Sequence, residues 1–192
     1  ELGGFPNFFG VQRFGTVLPV THLVGRAIVR GDLEQAVLLY IGNPSDEEDE
    51  RSRAAREALQ RDRDYAAALR DFPWKLTFER MVIGFLDRNP GDFAGAICVL
   101  PPNLQMMFVH AYQSYLFNLI LSERMRRGIP LNAPIVGDVV LPADKDGNPD
   151  HDKQVPVTKT NLDLVERQVR DRRAFVFATL FGSESVLAEG EM

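Results

Sequence analysis

Cysteine is almost absent: Cys98 stands alone among 192 residues. A lone thiol excludes an intramolecular disulfide and suits a reducing compartment, so a cytoplasmic setting is expected. Its neighbours are Ala96, Ile97 and Val99, which predict a buried, chemically inert thiol. Long apolar runs are missing too. The most continuous one, residues 93–100, falls far short of the roughly 20 residues that a membrane helix needs, so no membrane partner is expected. No basic start followed by an apolar stretch marks a signal peptide. The histidines, His22, His110 and His151, are far apart and share no ligand spacing, so no metal site is expected. His110 sits in a long helical pattern and reads as a core or interface residue. Neither a glycine-rich phosphate loop nor a Gly-x-Ser-x-Gly element occurs. Internal repeats and low-complexity segments are lacking as well.

What is present fits an ordinary globular protein, with 45% apolar and 26% charged residues and length enough for one substantial domain or two small ones. The formal net charge of −5 argues mildly against a polyanionic partner. The charge is placed unevenly, however. Residues 1–30 hold Glu1 against Arg13, Arg26 and Arg30, while acids concentrate in 46–50 and 138–152. The chain begins on Glu1 rather than Met and reads as a piece of a longer polypeptide.

Residues 1–15 carry glycines and Pro6 that forbid a stable helix, so a loop is expected. Residues 23–29 fit a short strand or a helix start. Asp32 is a good helix cap, and Leu33, Ala36, Val37 and Tyr40 follow at helical spacing until Gly42 and Asn43-Pro44. A second helix is expected from Ser45 or Asp46, a solvated one supported by Glu47–Arg51, Asp49–Arg53 and Glu57–Arg61 pairs. Further helices are expected over 78–86, over 92–100 and, opened by Pro101-Pro102, to about Arg127. On that longest helix Leu104, Met107 or Phe108, Ala111, Tyr115, Leu119 and Ser122 trace the predicted core face. Beyond Gly128 the texture changes: β-rich runs at 135–141 and 154–158 flank a polar turn. A helix capped by Asn161 then reaches about Arg173, and a strand covers 174–181. The fold class is therefore mixed α+β, helical in the middle and α/β-textured towards the end.

The segment Asp144-Lys-Asp-Gly-Asn-Pro-Asp-His-Asp152 has oxygen ligands at alternate positions, like a calcium loop. Pro149 stands where glycine is required and Val155 where glutamate is required, so a solvated turn explains it better. Two stretches stand out positively. One is His110-Ala-Tyr-Gln-Ser-Tyr-Leu-Phe-Asn118, where Gln113, Ser114 and Asn118 put a polar stripe on an apolar helix. The other is Asn7-Phe8-Phe9-Gly10-Val11-Gln12-Arg13-Phe14-Gly15. Rings beside amides and a guanidinium suit either a core-plugging turn or recognition of an unstacked base, in which rings stack and planar groups read edges or phosphate. Composition leaves both open.

That nine-residue stretch resembles the Asn-aromatic-Phe-Gly-x-Gln-Arg-Phe-Gly motif of the TruD family of tRNA pseudouridine synthases. Pro19-Val-Thr-His-Leu-Val-Gly25, Gln113-Ser-Tyr-Leu-Phe-Asn118, Val136-Gly-Asp-Val-Val140, Leu180-Phe-Gly and Ala188-Glu-Gly-Glu-Met192 recur in the same order there, so the resemblance, strongest to the archaeal branch, covers nearly the whole chain. It implies isomerisation of a uridine in tRNA, typically at position 13, to pseudouridine, without cofactor or metal and with an aspartate as the catalytic group. It implies that Asn7 lines the active site, that Phe9 stacks on the extruded base or sugar, and that Gln12 and Arg13 support the pocket or contact backbone. The family's Gly-x-Lys-Asp motif has no counterpart here, because Lys145-Asp146 is preceded by Ala143-Asp144; the catalytic aspartate is expected upstream of Glu1, and the chain alone is expected to be inactive. On the family's plan residues 1–30 belong to the catalytic domain. Residues 31–192 form the family-specific insertion, helical over 31–127 and mixed over 128–192. Arg124, Arg126, Arg127, Arg170 and Arg173 are candidate tRNA contacts, alongside Arg167 and Arg172, although ordinary helix-surface charge would place them equally well. A non-catalytic RNA-binding module of the same fold is the alternative reading.

Overall fold

The computed structural model describes residues 5–178, 180 and 182, so Phe181 and the closing 188–192 of the motifs above lie outside the described residues. The chain divides into two compact units, Phe9–Tyr115 and Glu1–Phe8 with Leu116–Met192.

The first unit is helical. α1 (Thr21–Val29), α2 (Leu33–Gly42), α3 (Glu50–Asp62), α4 (Tyr65–Asp71), α5 (Thr77–Arg88) and α6 (Phe93–Cys98) precede the first part of α7 (Pro102–Arg126). Local chemistry sets the starts. Asp32, Asp49, Asp64 and Asp92 each accept a hydrogen bond from the backbone N–H three residues on, satisfying a donor that the first turn leaves unpaired. The segment at 23–29 resolves as helix α1. α4 is an element that the sequence pattern did not announce. Val24, Val37, Ile41, Leu59, Phe72, Val82, Ile83, Leu86 and Phe108 form one core, each worth about 1.5–3 kcal/mol of burial. Gly25 of α1 faces α7 so closely that an added Cβ would collide with the Phe108 carbonyl, so this helix crossing needs a residue without a side chain.

Several expectations fail in this unit. α3 starts at Glu50, not at 45 or 46, because Asp49 rather than Ser45 supplies the cap. Its expected pairs are replaced: Arg53 reaches Asp46 and Glu57, Arg61 reaches its neighbour Asp62, and Asp49 takes Lys75. Arg56, 1% exposed, is buried outright, with its guanidinium donating to Glu48, Glu79 and the carbonyls of Tyr40 and Ile41. A row of Ser52, Ala55, Arg56 and Leu59 forms the buried face of α3, which therefore needs a charged residue satisfied from within. Cys98 is exposed, since it ends the short α6 on the side away from Ala96; His110 is likewise exposed.

The second unit holds the end of α7, β1 (Val139–Pro142), β2 (Val155–Pro156), α8 (Leu162–Arg170) and β3 (Ala174–Phe177). β1 is the centre of an antiparallel sheet ordered β2-β1-β3, with Val140 opposite Val155 and Val176. Val140, Val157, Val165 and Ala174 pack beneath α8. The 144–152 segment is a polar turn, as expected, and Asp144 accepts from Asp146 and Asn148 backbone N–H groups. α8 ends at Arg170, earlier than expected. Asn161 precedes it but turns its side chain backwards, accepting from Thr158 N and donating to the Pro156 carbonyl instead of capping. The mixed α+β class expected from the sequence is what the chain adopts, helix-dominant with a small antiparallel sheet.

On α7 the predicted core face is followed through Phe108 and Ala111 and then departs from it: Ser114, Leu121 and Arg124 are buried, while Leu119 and Ser122 are not. Apolar type alone misplaced the stripe because two of its positions are polar residues with internal partners.

Candidate nucleic-acid interface

In the helical unit the stretch from Phe9 to Gly15 forms a loop built around one 3-10 turn, Val11–Arg13. Arg13 N donates to Gly10 O at 3.0 Å and Phe14 N to Val11 O at 2.9 Å, and the loop then joins α1 through Thr21 N on Phe14 O. Gly15 closes it at φ +98, where a side chain would be strained and would also collide with the Leu18 carbonyl. Ser45 ties the following turn down by donating its hydroxyl to Val17 O at 2.7 Å.

The rings of this loop divide their labour. Phe14 points inward and meets His22 edge-on at 5.3 Å and Tyr115 at 6.4 Å, while His22 and Tyr115 lie 4.7 Å apart. Burial holds the His22 imidazole below its usual pKa, and its buried Nδ1 has no hydrogen-bond partner among the described residues. His22 therefore serves as a neutral ring in an aromatic support. Phe9 is half-buried, and the Arg13 guanidinium lies 5.4 Å from its ring centre. Gln12 and Arg13 are exposed. The structure thus brings Phe9, Gln12 and Arg13 onto one loop; Asn7, also exposed, belongs to the other compact unit.

The candidate basic contacts separate sharply. Arg124 is 9% exposed and directs five hydrogen bonds inward: two to Asp138 Oδ1 and Oδ2, two to the Pro130 carbonyl and one to the Ala133 carbonyl. A guanidinium has five N–H groups, so none is left for phosphate, and Arg124 is corrected to a structural residue. Asp138 also accepts from Ile135 N at 2.9 Å, which explains a charged residue inside the apolar Val136–Val140 run. That lone carboxylate among valines is the sequence signal of a buried ion pair. Arg126 and Arg127 are exposed and share Glu123, both at 2.6 Å; their guanidinium groups hold its carboxyl far below the usual range, at about 2. Arg170 and Arg173 are exposed beyond and at the end of α8, together with Arg167 and Arg172. Of the polar stripe on α7, Ser114 is buried and donates to the His110 carbonyl at 2.8 Å. Among the described residues no group of three His, Cys, Asp or Glu side chains could hold a metal ion, and no helix is long and apolar enough to cross a membrane.

Comparison with known proteins completes the description. The profile of the family "tRNA pseudouridine synthase D (TruD)" matches residues 1–192. A relative from Methanosarcina acetivorans named "Probable tRNA pseudouridine synthase D" is 47% identical over 188 residues, 98% of this chain and 43% of its own length. One of the same name from Natronomonas pharaonis is 48% identical over 191 residues, covering 98% of this chain and 44% of its own. The crystal structure of a TruD protein from Methanosarcina mazei superimposes with a TM-score of 0.91 at 46% identity, over 98% of this chain and 43% of that one. The chain therefore spans less than half the length of the relatives it matches. Within that span, the family profile and near-half identity extend almost end to end, and the chain belongs to the TruD family of tRNA pseudouridine synthases.

Proposed function

We propose that this chain is part of an enzyme that isomerises a uridine of tRNA, at position 13, to pseudouridine in the cytoplasm, without cofactor or metal. The observation that carries the reading is the Phe9–Gly15 loop: a half-buried ring under a guanidinium, on a loop whose Phe14 packs on His22 and Tyr115, in a chain that matches the family along its length. A uridine in a folded RNA has its reacting atoms inside the stack, so the enzyme must extrude it, and an extruded base needs a ring to replace its lost stacking partner. Phe9 takes that role. Asn7 is assigned to the active site by its place in the family motif; Gln12 and Arg13 hold the loop or touch the RNA backbone. Arg126, Arg127, Arg170 and Arg173 supply phosphate contacts.

The catalytic aspartate is assigned to the rest of the polypeptide, since no Gly-x-Lys-Asp occurs within these residues. Residues 1–30 are assigned to the catalytic domain and 31–192 to the family's insertion. The deciding experiment is pseudouridine formation by the full-length protein on unmodified tRNA. Conversion of one uridine is expected. Tight, salt-dependent tRNA binding with no conversion would replace the enzyme by an RNA-binding module, and absence of both would end the reading.

A further inference from the structure

The connection between α4 and α5 carries the chain's single tryptophan, and its setting is unusual. Trp74 is 81% exposed, though burying so large an apolar ring is ordinarily among the strongest contributions a side chain makes. It is nonetheless held. The Arg80 guanidinium lies 4.1 Å from the ring centre, against one face of the indole. Arg80 cannot swing away freely, because its Nη1 donates to the Leu69 carbonyl at 2.6 Å and to the Phe72 carbonyl at 2.7 Å. The Trp74 carbonyl accepts from the Thr77 hydroxyl at 3.4 Å, and Pro73 fixes the backbone before it. The indole is thus backed by a clamped cation and open on its other side.

We propose that Trp74 is a stacking platform for an unpaired base of the tRNA, a second RNA contact on the helical unit; the proposal rests on the tRNA reading above. Three features favour RNA as the occupant. An indole face accepts any base, and a ring already fixed by a cation loses little freedom when a base stacks on it. The order guanidinium–indole–base continues one stack with a positive charge beneath it. The charge around it also differs in sign from that of the whole chain: over 65–88, Arg70, Lys75, Arg80 and Arg88 stand against Asp71, Glu79 and Asp87, a net +1, and the same +1 remains when Lys75, paired with Asp49, and Glu79, paired with the buried Arg56, are set aside. The chain as a whole carries −5.

The test uses full-length protein and unmodified tRNA, comparing wild type, Trp74→Ala and Trp74→Phe. Loss of one stacked base should weaken tRNA binding by about tenfold for Trp74→Ala, and Trp74→Phe should recover most of it. Because stacking neutralises no phosphate, the slope of log Kd against log salt should be the same for all three. Indole fluorescence that is quenched by tRNA in wild type and not in Trp74→Phe would locate the contact. Wild-type binding with an unchanged Kd for Trp74→Ala would overturn the platform while leaving the tRNA reading intact. A lowered melting temperature with unchanged Kd would also overturn it, assigning the ring to another part of the polypeptide. Absence of tRNA binding by wild type would remove the tRNA reading itself.

Discussion

Phe9 and Phe14 are five residues apart in one motif, yet their neighbours differ. Phe14 meets His22 and Tyr115 edge-on, whereas Phe9 lies under the Arg13 guanidinium; both rings are half-buried. On the proposed stacking role, Phe9→Ala in the full-length protein should reduce conversion by about a hundredfold through misplacement of the target nucleotide, with tRNA Kd nearly unchanged. Single-turnover assays and filter binding check the split; equal losses in both would contradict the stacking role. The Arg124–Asp138 pair belongs to another kind of residue-scale argument. Asp138→Ala leaves a buried guanidinium without its carboxylate and should cost about 3–5 kcal/mol of stability in urea unfolding. Arg124→Lys should fare little better, because an ammonium cannot reproduce the fork that reaches Asp138, Pro130 and Ala133 together.

At the level of elements, the caps are where charge and helix meet. Asp49 accepts from Ser52 N and Ser52 Oγ and is paired with Lys75, and these bonds hold its carboxyl well below the usual range. A depressed carboxylate pKa stabilises the fold above the ordinary value and loses that contribution as pH falls through the folded one. The stability gap between wild type and Asp49→Asn should thus be widest near neutrality and close below pH 3.8, the ordinary value, as followed by urea melts across pH. Glu123, lowered from 4.5 to about 2 by Arg126 and Arg127, acts in the same direction between those two values. Caps were only partly legible: Asp32 declared α2 and Pro101-Pro102 declared α7, whereas the starts expected at Ser45 or Asp46 and at Asn161 were not capped there. What the sequence hid has one cause. Periodicity assumes that charge faces water, so the buried Arg56 gave the solvated α3 an inward face, and the buried Arg124 turned the end of α7 away from its predicted one. α4 escaped notice because seven residues give too few turns for a pattern. The motif loop was legible by type, and the different neighbours of Phe14 (His22, Tyr115) and Phe9 (Arg13) were not, since both are the same residue in the same stretch.

For the molecule as a whole, the question is how a chain of net charge −5 could hold a polyanion. The answer proposed here is local: exposed guanidinium groups at the end of α7 and around the end of α8. Arg126 and Arg127 are not free charges, because Glu123 cancels one of the two, and binding phosphate means competing with that carboxylate. Two opposite variants follow. Arg126→Ala with Arg127→Ala removes net charge of +2 and should weaken tRNA binding by the full-length protein while making the salt dependence shallower by about one to two units of log-log slope. Glu123→Gln leaves both arginines, releases them from the carboxylate, and should tighten binding at low salt with a steeper slope. If the α7 end stands away from the RNA, neither change alters the slope, and the contacts would have to be sought at Arg170 and Arg173 by the same titration. Because the two variants move the slope in opposite directions, a general loss of folding cannot imitate the pair of results.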